Sequence, residues 1–159
     1  MVVLVSINLN KENIVKKEIT LDEYNIVINL DKNKKIDNSG SYFTTVFKKK
    51  RYDEDKKDEV IEKFYVSYVE IKNKEKLSNY IFLKSIKIND KKFYYIEKGN
   101  PWNIALYYEV SKDKYLVINV RGDSVVYSDG SECKCFADIS DNVLKSKELK
   151  EVLNFKIKK

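Results

Sequence analysis

Over most of the chain, apolar and polar positions alternate at period two or run apolar for a few residues, which is the signature of β-strands. Residues 2–7 are apolar and β-branched around Ser6 and predict a strand buried on both faces. Residues 14–20 fit no single period, and Thr20 ahead of Asp22 and Glu23 offers one helical turn. Residues 25–30 predict a strand. Residues 31–40 predict a polar turn region closing on Asn38, Ser39 and Gly40, and residues 42–47 the next strand.

Residues 48–59 carry charge of both signs and predict a long hairpin tip or loop, leading toward a short helix over 54–63. Residues 64–71 predict a strand with Phe64, Val66, Tyr68 and Glu70 on one face and Tyr65, Ser67, Val69 and Ile71 on the other. Residues 80–88 and 93–97 read as strands joined by a hairpin over 89–92. Pro101 ends this run, because it forces Asn100 into an extended or turn conformation after Gly99. Strands over 104–110, 115–120 and 125–127, with turns at 111–114 and 121–124, predict a meander. The turn Ser128-Asp129-Gly130 then leads into a short strand over 132–137.

From Ser140 the period changes. Val143, Leu144, Leu149, Val152 and Leu153 recur at helical spacing, with Ser140 or Ser146 as N-cap. Lys156, Lys158 and Lys159 would sit at the helix C-terminus, where the dipole favours cations. The fold expectation is α+β: one antiparallel sheet, curved or closed into a barrel or sandwich, with a C-terminal α-helix on it. Strands follow strands without helical crossovers, which argues against a doubly wound parallel sheet. The 159 residues suit a single globular domain, 1–159, with no repeat and no linker.

Composition narrows the chemistry. The chain has no histidine, which removes Ser-His-Asp and Cys-His catalysis, HExxH zinc chemistry and histidine proton shuttling together. Two cysteines are too few for a structural zinc site or a secreted disulfide scaffold. No phosphate-binding glycine loop or EF-hand loop is present, so neither cofactor nor metal is expected. The N-terminus lacks a signal-peptide pattern and no window is apolar enough to span a bilayer, which makes the cytoplasm the expected compartment.

The net charge of +6 suggests nucleic acid, but only Arg51 and Arg121 among the 31 basic residues are arginine, the residue that forks onto guanine and phosphate. Lys48, Lys49, Lys50, Arg51 and Tyr52 could hold phosphate, yet Asp53, Glu54 and Asp55 follow at once. Cys133 and Cys135 should share a strand face as two small side chains, an extended backbone being a strained frame for a bond between them. Arg121-Gly122-Asp123 reads as a hairpin turn. Asp123, Asp129 and Asp138 lie near expected turns. A carboxylate-dependent hydrolase would need two acids in one cleft.

The remaining concentration of interface-type residues is Trp102, Tyr107, Tyr108, Glu109, Asp113, Tyr115, Asp123 and Tyr127, all within the expected meander. Trp and Tyr dominate interface hot spots, and surrounding acids steer a basic partner. These features point to a non-enzymatic binding protein. It would neutralise a partner protein by direct contact, in the manner of a toxin's immunity protein or a phage-encoded inhibitor. A sheet-based module for RNA or single-stranded DNA is the first alternative, and the carboxylate hydrolase the second.

Overall fold

The computed structural model describes residues 14–31, 35–37, 42–96 and 100–158. The strand expected over 2–7, the turn at Asn38, Ser39 and Gly40, and Gly99 and Lys159 lie outside the described residues.

Antiparallel pairing builds nearly everything. β1 (Ile14–Leu21) and β2 (Tyr24–Asp31) form a hairpin, joined on its far side by β10 (Phe155–Lys158). A larger curled sheet takes the remaining strands. They are β3 (Lys35–Asp37), β4 (Phe43–Asp53), β5 (Asp58–Asn73), β6 (Ser85–Ile88), β7 (Lys91–Tyr95), β8 (Asn103–Ser111) and β9 (Lys114–Tyr127). Their spatial order is β3-β4-β5-β9-β8-β7-β6. Two short helices, α1 (Asp141–Leu144) and α2 (Lys147–Val152), follow β9, and α2 packs on β4 and β2.

The core lies between the small sheet, the helices and one face of the large sheet. This inner face carries Phe47 of β4, Val60, Phe64, Val66 and Tyr68 of β5, and Phe93 of β7. Ile104 and Leu106 of β8 and Leu116, Ile118 and Val120 of β9 complete it. Phe155 supplies the link between sheets. Its ring lies 5.7 Å from Tyr68, 6.3 Å from Phe93 and 5.5 Å from Tyr108. Burying one such ring contributes roughly 2–3 kcal/mol. Polar contacts reinforce the junction: the Tyr68 hydroxyl donates to the Val152 carbonyl at 3.2 Å, and Lys114 reaches Glu23 at 3.0 Å.

Several local expectations give way to pairing. Instead of a helical turn, Asp22 and Glu23 close the β1–β2 hairpin. Asp22 adopts φ 54°, and Thr20 Oγ1 donates to Asn25 Oδ1 across it at 2.8 Å. The expected helix over 54–63 is absent. β4 and β5 extend past the core and pair as far as Asp53 with Asp58. In β5 an irregularity between Tyr68 and Glu70 swaps the faces, so Ile71 packs on the core and Glu70 turns outward with Val117. Residues 79–83 form a 3-10 turn rather than a strand, the Tyr80 amide donating to Ser78 Oγ. The hairpin expected at 89–92 forms with a shorter turn, Asn89 at φ 53° and Asp90 at φ 64°, the signature of type I′, while Lys91 and Lys92 pair within β7.

The meander has two strands, not three. Arg121, Gly122 and Asp123 lie inside β9, not in a turn. Gly122 is required by close approach, since a Cβ there would stand 1.7 Å from the Ala137 carbonyl oxygen. The strand expected over 132–137 reduces to one bridge between Val126 and Glu132. The single C-terminal helix is broken at Lys145 and Ser146, where Ser146 Oγ caps α2 by accepting from the Leu149 amide. Lys156 and Lys158 therefore lie on β10, not at a helix end.

Candidate functional site

The inner face does not end where the core ends. On β4, Phe47 is followed on the same face by Lys49, Arg51 and Asp53. On β5 the matching positions are Phe64, Glu62, Val60 and Asp58. Beyond Phe47 and Phe64, which stack at 4.9 Å, charged side chains join the buried Val60 on this face. Here the core reaches its end, and the strands form the mouth of the curled sheet. Residues 128–140 roof this mouth and are fastened to it. Cys133 donates its amide to Val125, Ile139 donates to Pro101, and Ser128 bonds Asp58.

The result is a cleft of about 470 Å³ lined by Arg51, Asp53, Glu62, Val125, Tyr127, Cys133, Cys135, Phe136, Asp138 and Ser140. Glu62 is its most buried charge, only 4% exposed, and accepts a hydrogen bond from Arg51 Nε at 3.1 Å. Asp53 shares its carboxylate with the hairpin tip, accepting from the amides of Asp55 and Lys56. Three carboxylates against one guanidinium leave the cleft acidic. Among the described residues no group of three acidic or cysteine side chains is placed to hold a metal ion.

Cys133 and Cys135 are joined in a disulfide in the cleft wall. The expectation of two unbonded side chains on an extended strand fails because the chain bends at Lys134 and Cys135, bringing their Cα atoms to 5.2 Å. Next to it Phe136 is 55% exposed and stacks on Trp102 at 5.3 Å.

The expected partner-binding residues do not form one surface. Trp102 precedes β8 and Asp113 follows it, so the two stand at opposite ends of a strand roughly 30 Å long. Tyr108 turns inward against Phe93 and Phe155. Tyr115 is buried beneath Phe82 and Tyr94, and burial raises its phenol above the ordinary value. Glu109 pairs with Tyr115, and Asp113 sits in the β8–β9 turn at φ 63°. Tyr107 is on the outer face of the sheet, and Asp123 lies in an irregularity of β9 opposite Lys63. Trp102, next to Phe136, and Tyr127 are the two that reach the cleft region. Of the acids, Asp138 lines it, whereas Asp129 is engaged with Ser131, whose hydrogen bonds hold its carboxyl below the ordinary value.

Glu62 and its pairing with Arg51 escape sequence reading because their segments look like loop, in which Arg51 stands out only as a candidate phosphate ligand. The usable signal is the mirror arrangement of residues 48–53 and 58–63 about a polar tetrapeptide, which fits a hairpin that outruns its core. No protein family, curated protein or solved structure matches this chain.

Proposed function

We propose that the protein is a non-enzymatic binding protein that neutralises a partner protein by direct contact, and that the cleft under residues 128–140 receives a basic side chain of that partner. The observation that carries this reading is an acidic cavity of about 470 Å³ with a partly exposed aromatic pair, Phe136 and Trp102, at its edge. Aromatic anchors beside complementary charge are the usual composition of interface hot spots. Glu62 is already committed to Arg51, which leaves Asp53 and Asp138 to meet an incoming ammonium or guanidinium. An immunity protein or an inhibitor that occludes an enzyme's basic site fits this chemistry.

The test is affinity capture from the native host across increasing salt, run with the wild-type chain and with Asp138→Lys and Phe136→Ser. Both changes sit on exposed side chains and should leave the chain folded, Phe136→Ser losing only its stack on Trp102. A stoichiometric protein held by the wild type and lost from both variants supports the reading. Truncating a hot-spot ring costs about 2 kcal/mol or more of binding. Capture that is indifferent to both variants, or that yields only nucleic acid stripped by salt, refutes it.

A further inference from the structure

On the outer face of the large sheet, pairing brings short and polar side chains into one row. Thr44 stands opposite Ser67, Ser67 opposite Asn119, and Asn119 opposite Ala105. Thr44 and Ser67 bond each other at 2.8 Å. The short Ala105 leaves a depression of about 280 Å³ lined by Ile96, Asn100, Asn103, Ala105, Tyr107 and Asn119. That is just under the roughly 300–1,000 Å³ of drug-sized pockets, so it suits one small ring system. Three carboxamides line it, and among the described residues no carboxylate belongs to its lining. The Tyr107 phenol adds a hydroxyl donor, and burial, with Glu70 nearby, raises it above its ordinary value.

The neighbouring row on this face, two residues along the strands, carries a cation. Arg121 stands opposite both Asn103 and Tyr65. Its guanidinium lies 4.9 Å from the Tyr65 ring centroid, and Lys63 Nζ lies 5.2 Å from the same ring. The two rows are roughly 6.6 Å apart, two residues of strand rise. A neutral sugar would have no use for the cations, and a bare phosphate none for the amides. A ligand with a hydrogen-bonding ring and an anionic tail uses both. Carboxamides present a donor and an acceptor side by side, which is the edge pattern a nucleobase answers.

We infer that this outer-face depression is a nucleotide site, with the base among Asn103, Asn119 and Tyr107 and the phosphate at Arg121 and Lys63. The ligand's source is either a free mononucleotide or an unpaired nucleotide of a strand. The site is separate from the cleft and does not rest on its proposed role.

The experiment is a nuclear magnetic resonance titration of the full chain with the four nucleoside monophosphates, the four nucleosides, inorganic phosphate, ribose and an eight-residue single strand. The expected result is that at least one nucleotide shifts the Asn103 and Asn119 side-chain amides and binds tighter than its nucleoside or phosphate. Asn119→Ala, which removes the paired donor and acceptor, should weaken it roughly tenfold. Ala105→Leu, which fills the depression, should abolish it, and Arg121→Gln should erase the advantage of nucleotide over nucleoside. Phe136→Ser, in the cleft, should change nothing. Tighter binding of the strand than of the mononucleotide supports the site and identifies a strand as its source; the reverse supports it with a free nucleotide. Phosphate or ribose binding as well as any nucleotide overturns the inference. So does an absence of shifts at millimolar nucleotide in a chain that remains folded.

Discussion

Gly122 illustrates how one absent methyl group positions a site. Its amide donates to the Trp102 carbonyl at 2.7 Å, while its α-carbon faces the Ala137 backbone. Any side chain would push residues 128–140 off the sheet and open the cleft roof. Gly122→Ala should cost about 1–3 kcal/mol, the usual range for overpacking, read as a lowered urea midpoint. Tyr68 makes a second residue-scale prediction. Burial pushes its phenol far above the ordinary tyrosine value, so the folded protein keeps a proton that the unfolded chain releases above pH 10. Its contribution is complete below the unfolded pKa and declines as pH rises beyond it. Stability should fall there by an extra increment of about 1.4 kcal/mol per pH unit. Tyr68→Phe should remove that alkaline increment and lose about 1 kcal/mol at neutral pH through the bond to Val152. Denaturant titrations at pH 7 to 11 would check both. An alkaline slope unchanged by the substitution would exclude Tyr68 as its source.

Among elements, β10 and the β6–β7 turn fasten the small sheet and helices to the large sheet. Phe155→Ala should cost about 3–5 kcal/mol, and amide exchange of β2 and β10 should accelerate more than that of β5 and β9. Uniform acceleration would mean that β10 is no separate clasp. Asn89 combines its positive φ with bonds from Nδ2 to the Lys150 and Leu153 carbonyls at the end of α2. Asn89→Ala should cost about 1–2 kcal/mol, measured by thermal unfolding. These elements also mark what was legible in the sequence. β2 and the middle of β5 were readable because alternation over Ile26, Ile28 and Leu30, and over Phe64, Val66 and Tyr68, mirrors burial directly. The ends of β4 and β5 were not, because strands that leave the core lose that contrast. Gly122 resembled a turn former because its partner, Ala137, is distant in sequence. β10 was hidden within apparent helical periodicity, since Phe155 owes its place to Ile28 and three distant rings.

At the scale of the molecule, the expected α+β class and antiparallel sheet with a C-terminal helical segment hold, and the expected binding residues are divided between the two faces and the two ends of β8. A residue list cannot tell the inner face from the outer, and strand length sets Trp102 far from Asp113. The two sheets share one core through Phe155, so they should unfold together. Trp102, the only tryptophan, reports on the large sheet. Its fluorescence transition in urea should coincide with the far-ultraviolet circular dichroism transition, and separate midpoints would show the small sheet leaving on its own. The described residues contain no helix long and apolar enough to cross a membrane.

The pairing of β10 with β2 also sets a schedule. Phe155 meets Ile28 only after nearly all the intervening chain is available, and closing so long a loop is slow. During synthesis, the β2 edge that receives β10 therefore waits until β10 has left the ribosome. An unpaired edge invites neighbouring chains, so the speed with which β10 docks governs how much newly made protein escapes aggregation.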